Sequence, residues 1–78
     1  MKKYRAKAVC KILDQIIMLK KGYTIWWPSY LMEKNDDGDW YVAVTFSHLN
    51  DMLQITSFLE NYGQYTIEVK SNIEIRIS

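Results

Sequence analysis

The sequence predicts a small α+β domain built in the order α-β-β-α-β-β, with two helices packed on one face of a small antiparallel sheet. Three observations carry this expectation. Residues 3 to 21 and residues 48 to 62 repeat apolar side chains at helical spacing. The stretch from Tyr23 to Ser47 is centred on Asp37-Gly38, a strong short-range hairpin signal. Beyond Gly63 the chain alternates apolar and polar residues with the period of a strand.

In the first helix, Ala6, Ala8, Val9, Cys10, Ile12, Leu13, Ile16, Ile17 and Leu19 fill one broad face. Lys3, Lys7, Lys11, Asp14, Gln15, Met18 and Lys21 fill the other, and Gly22 marks the stop. A second reading places a strand at Tyr4, Ala6, Ala8 and Cys10, which would give a ferredoxin-like β-α-β-β-α-β order. No turn residue separates such a strand from the helix that must follow, so this reading ranks second.

For the hairpin, pairing outward from a two-residue turn puts Leu31, Trp40, Val42, Val44 and Phe46 on one face, taken as the core face. Tyr30, Met32, Lys34, Tyr41, Ala43 and Thr45 then fall on the other. Pro28 follows Trp26-Trp27 and predicts a bulge or an edge, because proline cannot donate to a central ladder.

Ser47 is the expected cap of the second helix. Its inward stripe is Leu49, Met52, Leu53, Ile55, Leu59 and Tyr62, with Phe58 nearby, and Gly63 ends it. The last two strands run through Tyr65, Ile67 and Val69 and then Ile73, Ile75 and Ile77. A three-residue loop from Lys70 to Asn72 would set Val69 opposite Ile73 and Ile67 opposite Ile75.

A chain of 78 residues is expected to form a single domain, residues 1 to 78. With 49% hydrophobic residues and eleven aromatics it can build a core, which separates it from disordered chains. Cys10 is the only cysteine, so an internal disulfide and a cysteine-based metal cage are both excluded. Small secreted domains usually carry such staples, so a reducing, cytoplasmic location is expected. The start MKKYRAK has the charge of a signal peptide, but Lys11, Asp14 and Lys20 interrupt the apolar run that should follow. No stretch of 18 apolar residues exists to span a membrane as a helix.

Charge is unevenly divided. The first 21 residues hold seven basic side chains against Asp14 alone, a formal +6. The remainder holds three basic against eight acidic, a formal −5. A basic end and an acidic body follow, and each attracts a different kind of partner.

Three features are candidates for function. Lys3, Lys7 and Lys11 recur every four residues and form one ridge with Lys21, able to neutralise phosphates, although the arginine and amide groups that read bases are scarce there. The aromatics Trp26, Trp27, Tyr30 and Tyr41, with Met32, surround the hairpin. Two helices cannot cover both faces of a sheet, so some of these should be exposed, and their types are those enriched at interface centres. Asp36, Asp37 and Asp39 form an acidic turn. It lacks the bidentate glutamate of a calcium loop but suits a basic partner.

Catalysis finds no support. His48 is the only histidine, Cys10 lies on the apolar helix face, and no phosphate loop, nucleophile elbow or carboxylate pair is present. No cofactor or metal is expected. The reading that results is a non-enzymatic protein-binding module: an inhibitor, adaptor or immunity-type regulator that masks a surface of a larger partner. Trp26, Trp27, Tyr30, Met32 and Tyr41 would anchor it, and Asp36, Asp37 and Asp39 would steer it. Its composition is of a kind common in bacterial mobile elements and their phages. The alternative is a nucleic-acid-binding protein using Lys3, Lys7, Lys11 and Lys21. A homodimer through the C-terminal strand edge, Ile73 to Ile77, is compatible with either.

Overall fold

The computed structural model describes residues 1–19, 28–71 and 73–78. The expectations for Lys20, Lys21, Gly22, Tyr23, Trp26, Trp27 and Asn72 lie outside the described residues. Helix α1 spans Lys3–Leu19, strands β1 and β2 span Ser29–Lys34 and Trp40–Thr45, helix α2 spans Leu49–Glu60, and strands β3 and β4 span Ile67–Val69 and Glu74–Ile77. This is the α-β-β-α-β-β order, and the helix at residues 3–19 displaces the alternative with a strand there.

The strands form one antiparallel sheet in the order β1-β2-β4-β3. Val42 and Val44 of β2 pair with Ile77 and Ile75 of β4, and all four are fully buried. On that face they join Ala6, Val9, Leu13 and Ile16 of α1 and Met52, Ile55 and Leu59 of α2 in one core. Both helices therefore use the same side of the sheet. Arg5 fixes α1 to the loop before β3, donating to the Gln64 carbonyl at 3.1 Å and stacking over Tyr65.

The hairpin register differs from the two-residue turn expected at Asp37-Gly38. Lys34 pairs with Trp40, Met32 with Val42 and Tyr30 with Val44, leaving three residues, Asp36 to Gly38, in the loop between Asn35 and Asp39. Asn35 sets this longer loop. Its side-chain oxygen accepts the N–H groups of both Asp37 and Asp39 at 3.0 Å, and its carbonyl accepts the Gly38 N–H at 3.1 Å. Gly38 sits at φ +88°, the left-handed position that closes a three-residue hairpin. One added loop residue turns every β1 side chain over. Tyr30 and Met32 thus pack against the core, and Leu31, expected inside, is half exposed on the other face.

Helix α2 is also rotated from expectation. Met52, Ile55 and Leu59 are buried together with Asp51, whereas Leu49, Leu53 and Tyr62 remain exposed. The apolar arc of this helix is wider than its contact with the core, and packing selected one side of the arc. Its N-cap is His48 in an extended conformation, not Ser47, and no side-chain cap bond is made there. Gly63 at φ +64° ends the turn that follows, as expected.

The last hairpin pairs Val69 with Ile75 and Ile67 with Ile77, two residues from the expected register. The Lys70 N–H donates to the Glu74 carbonyl at 2.9 Å, so Ile73 belongs to the loop. An even shift preserves the faces. Strand β4 lies between β2 and β3, so the C-terminal strand, Ile73 to Ile77, offers no free edge for the homodimer that the sequence would allow there. Both of its sides already carry ladder bonds.

Candidate functional site

With both helices on one side, no helix among the described residues covers the other side of the sheet, which is called the open face below. Its side chains follow from the register: Leu31, Ala43, Arg76 and Glu68 form one row across the four strands. Glu33 and Tyr41 form the next row, and Thr45 and Glu74 lie in the row on the opposite flank. Near the middle, the Arg76 guanidinium lies over the Tyr41 ring, 5.0 Å from its centroid. The Tyr41 hydroxyl donates to Glu33 Oε2 at 2.5 Å. Asn35, Tyr41, Glu68, Arg76 and Ser78 line a shallow open depression of about 150 Å³.

These contacts tune the groups. The hydrogen bond to Glu33 pushes the Tyr41 phenol above its ordinary value, since losing the proton would set an anion against a carboxylate. Lys70 lies 2.8 Å from Glu68 and holds that carboxyl below the usual range. Arg76 Nε is buried without a hydrogen-bond partner among the described residues. Its guanidinium is held by stacking, which leaves its other donors able to fork onto an incoming carboxylate or carbonyl.

The hairpin loop extends this surface. Asp36, Asp37 and Asp39 are exposed beside Asn35, at the end of the sheet where Glu33 and Tyr41 stand. Together with Glu33, Glu68 and Glu74, the open face and its loop carry six carboxylates against Arg76 and Lys70. Across the molecule, Lys7 and Lys11 are exposed on α1 and Lys3 reaches over the Trp40 ring at 5.3 Å. The described lysines of α1 thus stand on the helix side of the sheet, away from the carboxylates of the open face.

Of the residues expected to bind a protein, Tyr41 and the three aspartates reach this open surface, and Tyr30 and Met32 face the core instead. Arg76 and Glu33 were not anticipated. Their signal was present in the alternation of each strand, but only the true loop lengths place both beside Tyr41.

Cys10 is half-buried on α1, and burial with the nearby Asp14 carboxylate raises its thiol pKa, which suppresses the thiolate a nucleophile needs. Among the described residues no three His, Cys, Asp or Glu side chains cluster to hold a metal ion, and no helix is long and apolar enough to cross a membrane.

Fold and site together define an α+β domain with one helix-covered sheet face and one open, acidic face centred on a stacked Tyr–Arg pair. Comparison with protein-family models, with curated proteins and with solved structures finds no match.

Proposed function

We propose that this protein is a non-enzymatic binding module that masks a basic surface on a larger protein, acting as an inhibitor, adaptor or immunity-type regulator. The observation that carries the proposal is the open sheet face. It presents Tyr41 stacked with Arg76, residue types that dominate binding energy when a partner excludes water from them. Glu33, Asp36, Asp37 and Asp39 surround one end of that pair and would attract a basic partner over distances near the Debye length, about 8 Å at physiological salt. A lone cysteine in so small a chain fits a reducing compartment such as the cytoplasm.

The exposed lysines of α1 support a second reading, in which Lys7 and Lys11, with Lys3, contact nucleic-acid phosphates. One experiment separates the two. Immobilised wild-type protein, Tyr41→Ala, Arg76→Ala and a Lys3→Glu/Lys7→Glu/Lys11→Glu variant are compared for captured protein and for binding of a labelled nucleic-acid fragment. The first reading expects a protein partner retained by the lysine variant and weakened about 30-fold by Tyr41→Ala. A partner indifferent to both Tyr41 and Arg76 would overturn it. Salt-sensitive nucleic-acid binding lost only in the lysine variant would establish the second.

A further inference from the structure

We infer that two copies of this chain associate through β3, pairing antiparallel with Val69 on the two-fold axis. Strand β3 ends the sheet, with β4 on its inner side and, among the described residues, nothing paired on its outer side. Thr66 exchanges both backbone hydrogen bonds with Ser78 at 2.8 and 2.9 Å, and the Lys70 N–H donates to Glu74. These residues point inward, so by the alternation of a strand Ile67 and Val69 turn their N–H and C=O groups toward the free edge.

Between the charged Glu68 and Lys70, this edge exposes the apolar Val69. Val69 is 58% exposed although its register partner Ile75 is fully buried, so the helix layer stops short of it. Ile73, 40% exposed, accepts the Phe46 N–H at the same end of the sheet; Leu49 begins α2 three residues after Phe46 and Leu53 follows one turn later, each about half exposed. Strand edges of stable monomers are commonly blocked by proline, charges or short length; β3 has no proline, and its protection is its length of three residues and the charge of Glu68.

Charge selects both the occupant and the register. An antiparallel pair centred on Glu68 would set two carboxylates directly opposite each other, which is unfavourable. Centring it on Val69 instead lets the two Val69 residues exchange their outward backbone hydrogen bonds. In that register each Glu68 faces Lys70 of the second copy, so the segment Glu68-Val69-Lys70 is complementary to itself. Glu68 and Lys70 already share the open face, 2.8 Å apart within one chain. The Val69 side chains meet on the opposite face, the one that carries the core further in. Glu68 of this edge also lines the depression beside the Tyr41–Arg76 pair, but the dimer does not depend on the function proposed for that pair.

Light scattering during size-exclusion chromatography, over a range of loading concentrations, tests the inference. Wild-type protein should reach twice the 9.3 kDa of one chain and dissociate on dilution. Glu68→Lys and Lys70→Glu, each alone, place like charges across the axis twice and should weaken the dimer about tenfold or more. An equal mixture of these two variants restores both opposite-charge pairs and should recover the doubled mass. A wild-type protein that stays at the single-chain mass at every concentration would overturn the inference. So would two single variants that dimerise as the wild type does.

Discussion

Arg76 of β4 and Tyr41 of β2 are stacked 5.0 Å apart on the open face of the sheet, and the same tyrosine donates its hydroxyl proton to Glu33 of β1. Three strands therefore meet at one phenol. The folded state holds the Tyr41 proton more tightly than the unfolded chain does, because Glu33 accepts it. This contribution is complete below the unfolded phenol pKa of about 10 and disappears as pH rises through the higher folded value. Absorbance titration of wild type against Tyr41→Phe isolates that ionisation, and Glu33→Gln should return it toward the ordinary value. An alkaline titration unchanged by Glu33→Gln would show that the hydrogen bond is not the cause.

The register of the first hairpin makes a prediction that its neighbours reverse. Met32 packs on the core face and Leu31 is 52% exposed on the open face. Truncating Met32 to alanine should cost about 1–2 kcal/mol, while Leu31→Ala should stay within about 0.5 kcal/mol. Urea denaturation of the two variants measures the difference. A larger loss at Leu31 would mean that the two-residue turn is the true one.

The loop that sets this register can be tested directly. A Cβ at Gly38 would meet nothing closer than the flexible end of Lys34, 3.8 Å away, so space is not the constraint. The φ of +88° is, and Gly38→Ala should cost about 1 kcal/mol in denaturant midpoint terms. Asn35→Ala removes the acceptor of two backbone N–H groups and should cost a similar amount, about 1 kcal/mol. Asn35→Asp keeps the acceptor and should recover most of that loss. If Asn35→Ala were neutral, the loop would be held by the backbone alone.

Helix α1 was legible because its apolar face is centred on Val9, Leu13 and Ile16, with lysines opposite, although Ala8, counted on that face, is exposed. Helix α2 was not, because Leu49, Leu53, Met52, Ile55 and Leu59 spread over too wide an arc to show which part meets the sheet. In the candidate site, Tyr41 and the three aspartates could be named from residue type and turn position. Arg76 and Glu33 could not, because their place beside Tyr41 depends on two registers and on which strand lies next to β2.

By itself, the sequence determined the order and type of the elements, the hairpin position near Gly38 and the separation of charge between the first helix and the remainder. Those features are local: spacing, turn residues and composition act within a few positions along the chain. Tertiary structure alone decided the sheet order, the face that β1 presents, the flank of α2 that is buried and the enclosure of β4 between β2 and β3. Such choices are settled by which apolar surfaces are removed from water together, and by single-residue loop geometry, to which a strand's faces respond all at once.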